Sequence, residues 1–331
     1  MKVIQVGLGG FGSVWLDHVI SKHEQLEIVA LVDVNEAALQ RAKEVLSLSD
    51  SLFFHSIHEA FIRLEENGVQ PDFILNFTPS KIHREINLAA INKGIAVFSE
   101  KPLAENEEEA KEIVILSLEK RVPFVVSQNY RFKPVINAAK KIFDAGGLGK
   151  LENIYIQFFK DPQFGGYRNK MDYPMLIDMA IHHFDLIRFF TGEKPLSVLA
   201  KSWNPSWSLF EGDTNLQAFF TLSGNIRVSY SGSWSSKLRE TSWDGNWNFE
   251  GTEGSLNIEE NRITLKKGDN QEIFVIDSPD MSMRSSLDHF ITSLLEGKPA
   301  DTRGEDNLQS FKMITHSLQS IIKNEEVKFE K

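Results

Sequence analysis

The sequence predicts an α/β fold, a doubly wound parallel sheet at the N-terminus followed by an α+β domain built on a large, mostly antiparallel open sheet. Three observations carry the expectation. Over the first part of the chain, apolar runs alternate with segments of helical periodicity, the pattern of parallel strands joined by crossover helices. A glycine-rich turn stands between the first of these runs and the first helical segment. Further on, runs of alternating apolar and polar residues are separated by short Ser, Gly, Asn and Asp turns, as in antiparallel strands with one buried face. A chain of 331 residues suits two domains, and the boundary is placed between residues 124 and 125.

The first run, KVIQV, begins at Lys2 and leads into Gly7-Leu8-Gly9-Gly10-Phe11-Gly12, after which SVWLDHVISK has the apolar spacing of a helix. Between a strand and a helix, G-x-G-x-x-G has a physical reading as a Rossmann fingerprint. Gly7 permits the tight turn, Gly9 lets a pyrophosphate approach the backbone, and Gly12 permits close helix packing. The free N–H groups at the helix start, around Gly10 and Phe11, face the anion.

The second run, EIVALVDV, delivers Asp33 about 20 residues after the last glycine, where an acidic residue meets the adenine ribose. A carboxylate there accepts hydrogen bonds from the ribose diol and repels a 2′-phosphate, so NAD is favoured over NADP. Asp is also a good helix N-cap, which gives Asp33 a second expected role before NEAALQRAKEVL. The runs DFILNFT, GIAVFSE and VPFVVSQ end in Thr78-Pro79, Glu100-Lys101-Pro102 and Gln128-Asn129. Ligands of open parallel sheets bind beyond such carboxyl ends.

Composition narrows the function classes. A net charge of −10 argues against nucleic acid and anionic membranes as partners. With no cysteine, disulfide scaffolds, thiolate catalysis and Cys-ligated zinc are excluded. No apolar stretch reaches the roughly 20 residues that span a bilayer, and KVIQV leaves no room for a leader before it. A cytoplasmic protein with a small-molecule ligand is expected.

The stretch LIDMAIHHFDLIRFF, residues 176–190, reads as a helix in which Asp178, His182 and Asp185 share one stripe. His183 shares its face with Met179, Leu186 and Phe190 and is expected to be a packed core histidine. His182, flanked by two carboxylates, is a candidate proton carrier, metal ligand or member of a structural charge network. A metal site built on this stripe is disfavoured, because residues on one helix stripe do not by themselves surround a cation.

Several motifs in order, GLGGFG, Thr78-Pro79 with His83 four residues beyond the proline, FSEKPLA, NYRFKP, GGLGK, Asp178-Met-Ala-Ile-His182-His-Phe-Asp185 and GTEGSL, span nearly the whole chain. In this the sequence resembles the glucose-fructose oxidoreductase, inositol dehydrogenase and rhizopine catabolism family, Gfo/Idh/MocA. The resemblance implies an NAD(P)-dependent oxidoreductase that transfers a hydride to or from a hydroxyl or keto group of a sugar, cyclitol or related polyol. It implies that Lys101 contacts the reacting oxygen, that His182 carries the proton, and that Asp178 supports it or holds substrate hydroxyls. Thr78, Pro79, His83, Glu100, Lys101 and Gln128 join the glycines, Phe11 and Asp33 as expected cofactor contacts. A cis Lys101-Pro102 bond is also implied. The family pattern usually has glycines before and within the Asp-x-x-x-His helix; here Tyr173-Pro174-Met175 and Ala180 replace them, so a different substrate pocket is expected. Redox-neutral chemistry on retained NAD and a non-catalytic dinucleotide-binding regulator are the alternatives.

In the second domain, ENIYIQFF, SVLAKSW, NLQAFFTL, NIRVSYSGSW, SWDGNWNFEG and RITLKK are the expected strands. The connection KDPQFGGYRNKMDYP lines the expected pocket, and Asn129, Arg131, Tyr167 and Arg168 are candidate substrate contacts. DNLQSFKMITHSLQSIIK reads as a terminal amphipathic helix. An outer sheet face rich in Trp, Phe and Tyr, together with the resemblance, implies a homo-oligomer.

Overall fold

The strands of the first sheet are short and nearly all buried, because helices cover both of its faces and leave no place for polar alternation. The computed structural model describes residues 1–46, 48–238 and 240–329. It divides into two compact units, Met1–Asn129 with Met283–Gln309, and Tyr130–Ser282 with the chain from Ser310 onward. The division departs from the expected single cut after residue 124 for two reasons. The last strand of the first sheet, Phe124–Val126, straddles that point, and residues 283–309 return to the first unit.

In the first unit β1 (Lys2–Val6), β2 (Glu27–Val32), β3 (Phe53–Phe54), β4 (Phe73–Asn76), β5 (Ala96–Ser99) and β6 (Phe124–Val126) form a parallel sheet in the order β3-β2-β1-β4-β5-β6. This is the doubly wound arrangement, with the strand order reversing beside β1. Helices Ile57–Glu66 and Glu107–Lys120 start on side-chain caps, Ser56 accepting from Glu59 N at 3.2 Å and Asn106 from Glu109 N at 2.9 Å. The returning helix Ser282–Glu296 brings the buried ring of Phe290 edge-on to Phe73, centroids 5.3 Å apart, and beside Phe98 at 5.6 Å.

In the second unit β7 (Leu151–Phe159), β8 (Pro195–Trp203), β9 (Asn215–Leu222), β10 (Arg227–Ser233), β11 (Asn246–Gly251), β12 (Ser255–Glu259), β13 (Arg262–Lys267), β14 (Asn270–Val275) and β15 (Val327–Lys328) form one sheet, ordered β14-β13-β12-β11-β7-β10-β9-β8-β15. Every pairing is antiparallel except β7 with β10. The inner face carries Ile154, Ile156 and Phe158 of β7, Tyr230 of β10, and Trp247 and Phe249 of β11, all buried. The helix Ile181–Thr191 packs on that face through Phe184, 4.8 Å from Phe220, and Phe190, 4.8 Å from Phe249. The aromatic residues are therefore divided between the faces: Trp234, Trp247 and Tyr230 are inside. Tyr155, Phe219 and Trp203 remain exposed at 43%, 48% and 44%.

The terminal amphipathic segment forms the helix Gly304–Lys323. The stretch expected as one regular helix opens instead with a π-turn, Met175–Ala180, and becomes α-helical from Ile181 to Thr191. The wider turn carries Asp178 and removes the strict 100° spacing on which the single stripe rested. Met175 and Ala180, which stand in place of the family's glycines, are both fully buried.

Candidate active site and dinucleotide cradle

In the first unit the glycine turn fits a dinucleotide on steric grounds. Gly7 has φ of +92°, and a Cβ there would stand 2.6 Å from the carbonyl carbon of Phe77. At Gly12 a Cβ would approach the Gly7 carbonyl oxygen to 2.2 Å. Only glycine satisfies either position. At Gly9 and Gly10, by contrast, nothing lies within 4 Å of where a Cβ would be. This open backbone at the start of the helix Gly10–His18 suits a pyrophosphate. Beneath it, buried Gln5 donates from Nε2 to the carbonyls of Gly12 (2.8 Å) and Gly7 (3.1 Å). That support was not singled out from the strand pattern. Phe11 is 45% exposed, edge-on to Trp15.

Asp33 follows β2 beside this turn, where Gly7 N donates to Val32 O at 2.8 Å. Its Oδ2 accepts from Leu8 N at 2.7 Å and its Oδ1 from Asn35 N at 2.8 Å. The cap of the next helix is Asn35, whose Oδ1 accepts from Ala37 N at 2.9 Å. The expected capping role thus passes from Asp33 to Asn35, and Asp33 is fixed against the glycine turn.

A buried polar network occupies the ends of β4 and β5. Asn76 Oδ1 accepts from Thr78 Oγ1 (2.7 Å) and Thr78 N (3.2 Å), its Nδ2 donates to Asn87 Oδ1 (2.8 Å), and Asn87 Nδ2 donates to Ser99 Oγ (3.3 Å). His83 is 1% exposed, with Nδ1 2.7 Å from the Pro102 carbonyl oxygen and Nε2 2.8 Å from that of Thr78. Burial lowers its pKa, and nearby Lys101 does so too. This corrects the expected cofactor contact: both ring nitrogens face backbone carbonyls, and the one that carries the proton donates, which places the ring between the Thr78-Pro79 turn and the Lys101-Pro102 turn. Pro79 begins the helix Ser80–Asn92 as its N-cap.

Lys101 is half-buried and its bond to Pro102 is cis. Burial pushes the Glu100 carboxyl up to about 7, while the positive charge of Lys101 opposes that rise. Gln128, 1% exposed, has neither amide atom hydrogen-bonded within the protein. An amide buried in that way is costly, so its place after β6 fits a ligand-facing role. Asn129 is half-buried and opens the 3₁₀ turn Asn129–Phe132.

In the second unit His182 lies face to face with Tyr130, centroids 4.2 Å apart and planes 11° from parallel. Asp178 accepts from Arg168 Nε at 2.7 Å, and the Arg168 guanidinium lies 5.0 Å from the Phe164 ring centre and 5.1 Å from that of Tyr167. Tyr167 itself is 66% exposed.

Arg131, an expected substrate contact, and Asp185, an expected neighbour of His182, are committed to each other. Arg131 is 6% exposed and donates to both oxygens of Asp185, Nε at 2.6 Å and Nη2 at 2.7 Å, while Ser310 Oγ donates to the same carboxylate at 2.6 Å. Arg131 is therefore corrected from a substrate contact to half of a buried ion pair, and Asp185 from a flank of His182 to the other half. Tyr130 was missed, and its only sequence signal is its place in NYRFKP. Among the described residues no three His, Asp or Glu side chains group as a metal site.

His183 is fully buried, its Nδ1 2.9 Å from the Tyr230 hydroxyl and its Nε2 3.1 Å from the Trp243 carbonyl oxygen. Burial drives its pKa down to about 4. A histidine that resists protonation when folded contributes stability that is complete above its unfolded pKa of about 6.5 and is lost as pH falls toward 4. His183→Gln should therefore lower the urea midpoint at pH 7.5 and flatten its decline between pH 6.5 and 4 relative to the unmodified protein. Tryptophan fluorescence suits the measurement, since five of the six tryptophans belong to the second unit.

Comparison with known proteins places these features in a family. Residues 1–128 match the profile described as oxidoreductase family, NAD-binding Rossmann fold, and residues 136–257 match the GFO/IDH/MocA C-terminal domain. An uncharacterized protein, y4oX, of Sinorhizobium fredii is 24% identical, over 99% of this chain and 95% of its own length. An inositol 2-dehydrogenase of Pseudarthrobacter chlorophenolicus is 31% identical over 60% of this chain, and the match spans 57% of that relative's length. The crystal structure of an oxidoreductase from Agrobacterium radiobacter, in complex with NAD+, L-tartaric acid and magnesium, shares the fold with a TM-score of 0.90 at 19% identity, covering 99% of this chain and 98% of that one. Among the described residues no helix is long and apolar enough to cross a membrane.

Proposed function

The chain belongs to the Gfo/Idh/MocA family of NAD-binding oxidoreductases, and from that premise we propose that it is a dehydrogenase acting on a hydroxyl, or the matching ketone, of a sugar, cyclitol or related polyol. The observation that carries this reading is the pair of adjacent histidines. His183 is fully buried and bonded to Tyr230 and Trp243, whereas His182, 7% exposed, stacks on Tyr130 and follows the Arg168-paired Asp178 by four residues.

The glycine turn and Asp33 would hold NAD, which would supply a hydride acceptor for a carbinol carbon or, in its reduced form, a hydride donor for the matching ketone. As the hydride leaves, the hydroxyl proton must leave too, and we assign its removal to His182, since imidazole is a suitable base near neutral pH. Asp178 orients that imidazole or holds neighbouring substrate hydroxyls. Lys101 supplies positive charge to the developing alkoxide. Gly9, Gly10 and Phe11 face the pyrophosphate, and Asp33 the adenine ribose. Thr78, Pro79, Glu100 and Gln128 complete the cofactor contacts, while Asn129, Tyr167 and Arg168 serve the substrate.

His182→Asn should lower turnover by roughly 10²–10⁴-fold and leave NAD affinity within about twofold, read by fluorescence titration alongside NADH absorbance. Normal turnover in a folded variant excludes His182 as the proton carrier. Net NADH formation from a polyol is the expected signal, and its absence in favour of redox-neutral product counts against a dehydrogenase.

Titration with NAD and NADP should give tighter binding of NAD, and Asp33→Ala should narrow the difference, because the carboxylate no longer repels the 2′-phosphate. Equal affinities in the unmodified protein defeat that assignment.

We also propose a homo-oligomer. Leu199, Phe219, Ser229 and Tyr155 form one outward row across β8, β9, β10 and β7, and Leu199, Phe219 and Tyr155 are each more than 40% exposed, an apolar surface suited to a partner copy. Light scattering at micromolar concentration should return a multiple of the 37.6 kDa chain mass; a monomer throughout that range is the opposing result.

A further inference from the structure

We infer that Tyr130 is a positioning residue for His182, its ring clamped so that it fixes the plane in which the imidazole exchanges its proton. The inference rests on the assignment of His182 as proton carrier. Its ground is the stack itself, centroids 4.2 Å apart and 11° from parallel, a contact that constrains the rotation of a histidine ring. Edge contacts, such as that of Tyr130 with His183 at 6.4 Å and 63°, hold a plane less firmly.

Tyr130 is itself held. The Lys133 ammonium lies over its ring, 4.8 Å from the centroid, and that ammonium is anchored by Asp244 at 3.1 Å and Asp280 at 3.4 Å. Lys133 and Asp244 are 15% and 5% exposed in their side chains, so the anchor is largely shielded from solvent. One residue beyond Tyr130, the Arg131–Asp185 pair fixes the backbone, with the Arg131 carbonyl also accepting from Asn137 Nδ2 at 2.7 Å. Burial, with Asp244, Asp280 and Asp178 nearby, raises the phenol's pKa. The hydroxyl is therefore protonated at neutral pH and adds no second base. What Tyr130 offers His182 is a flat, fixed, uncharged surface.

Aligned reacting groups contribute large factors to rate, and a small misplacement costs on the order of 10²-fold. Tyr130→Leu should therefore lower kcat by about 10- to 100-fold while the substrate KM and the NAD dissociation constant stay within about threefold. Tyr130→Phe keeps the ring and should restore kcat to within about twofold of the unmodified enzyme. Lys133→Met, which releases the ring without removing it, should fall between them. If Leu at this position prevents folding, Tyr130→Met fills similar space without a rigid plane and should show the same loss. Normal kcat in a folded Leu or Met variant, or failure of Phe to rescue, overturns the inference. His182→Asn is measured beside these variants. If it abolishes turnover while Tyr130→Leu does not, the positioning role alone fails; if it leaves turnover intact, the proton-carrier assignment and the positioning role fail together.

Discussion

Arg131 and Asp185 are almost wholly withdrawn from water, 6% and 1% exposed, and meet through two short N–H to carboxylate bonds. Removing both charges from solvent is costly, and only good geometry with further hydrogen bonds offsets the cost. Here Ser310 supplies one of those bonds to the carboxylate. The structural consequence is register. Tyr130 immediately precedes Arg131, and His182 precedes Asp185 by about one helical turn, so the bond that joins 131 to 185 brings 130 against 182. The ion pair thus sets the surroundings of His182.

In the first unit the corresponding constraint is close approach of backbones. Gly7 and Gly12 stand where any side chain would enter the Gly7 carbonyl or the chain at Phe77, and Gln5 holds their carbonyls from within the sheet. The turn is consequently tightly packed where it meets the protein and open at Gly9 and Gly10. A similar division governs the ends of β4 and β5: Asn76, Asn87, Ser99 and His83 satisfy one another and the backbone. Because buried polar groups are costly unless paired, this network holds the turns at Thr78 and Lys101 in place. It leaves the buried amide of Gln128 without a protein partner.

These two kinds of constraint explain what was legible in the sequence. The glycine spacing, the parallel strands and Asp33 are local requirements, so a strand followed by G-x-G-x-x-G announced them, and the alternating pattern announced most of the second sheet. The strands β12, β14 and β15 did not stand out. Residues 283–309 gave no sign that they return to the first unit, because a helix's apolar face does not specify its partner. Arg131 was open to a substrate role because an arginine is usually exposed; its partner Asp185 lies 54 residues away. The π-turn at Met175–Ala180 is likewise hidden, since a single wide turn leaves the apolar pattern of a regular helix almost unchanged. Tyr130 escaped notice because a stack between distant residues leaves no spacing to read.

The two adjacent histidines show how such long-range contacts divide chemistry that composition leaves equivalent. Neighbouring helical residues project about 100° apart, so the pair cannot share surroundings. The fold turns His183 toward β10 and the segment before β11, where the Tyr230 hydroxyl and the Trp243 carbonyl bind it and burial keeps it neutral. Those bonds fasten the helix to the inner face of the sheet, which is what gives its other side a definite orientation. His182 then meets Tyr130, itself held through Lys133, while the wide turn at the head of the helix carries Asp178 to Arg168. The two neighbours are thus held differently, His183 by the sheet and the segment before β11, His182 by the ring of Tyr130, and each arrangement depends on the other through the one helix that carries both.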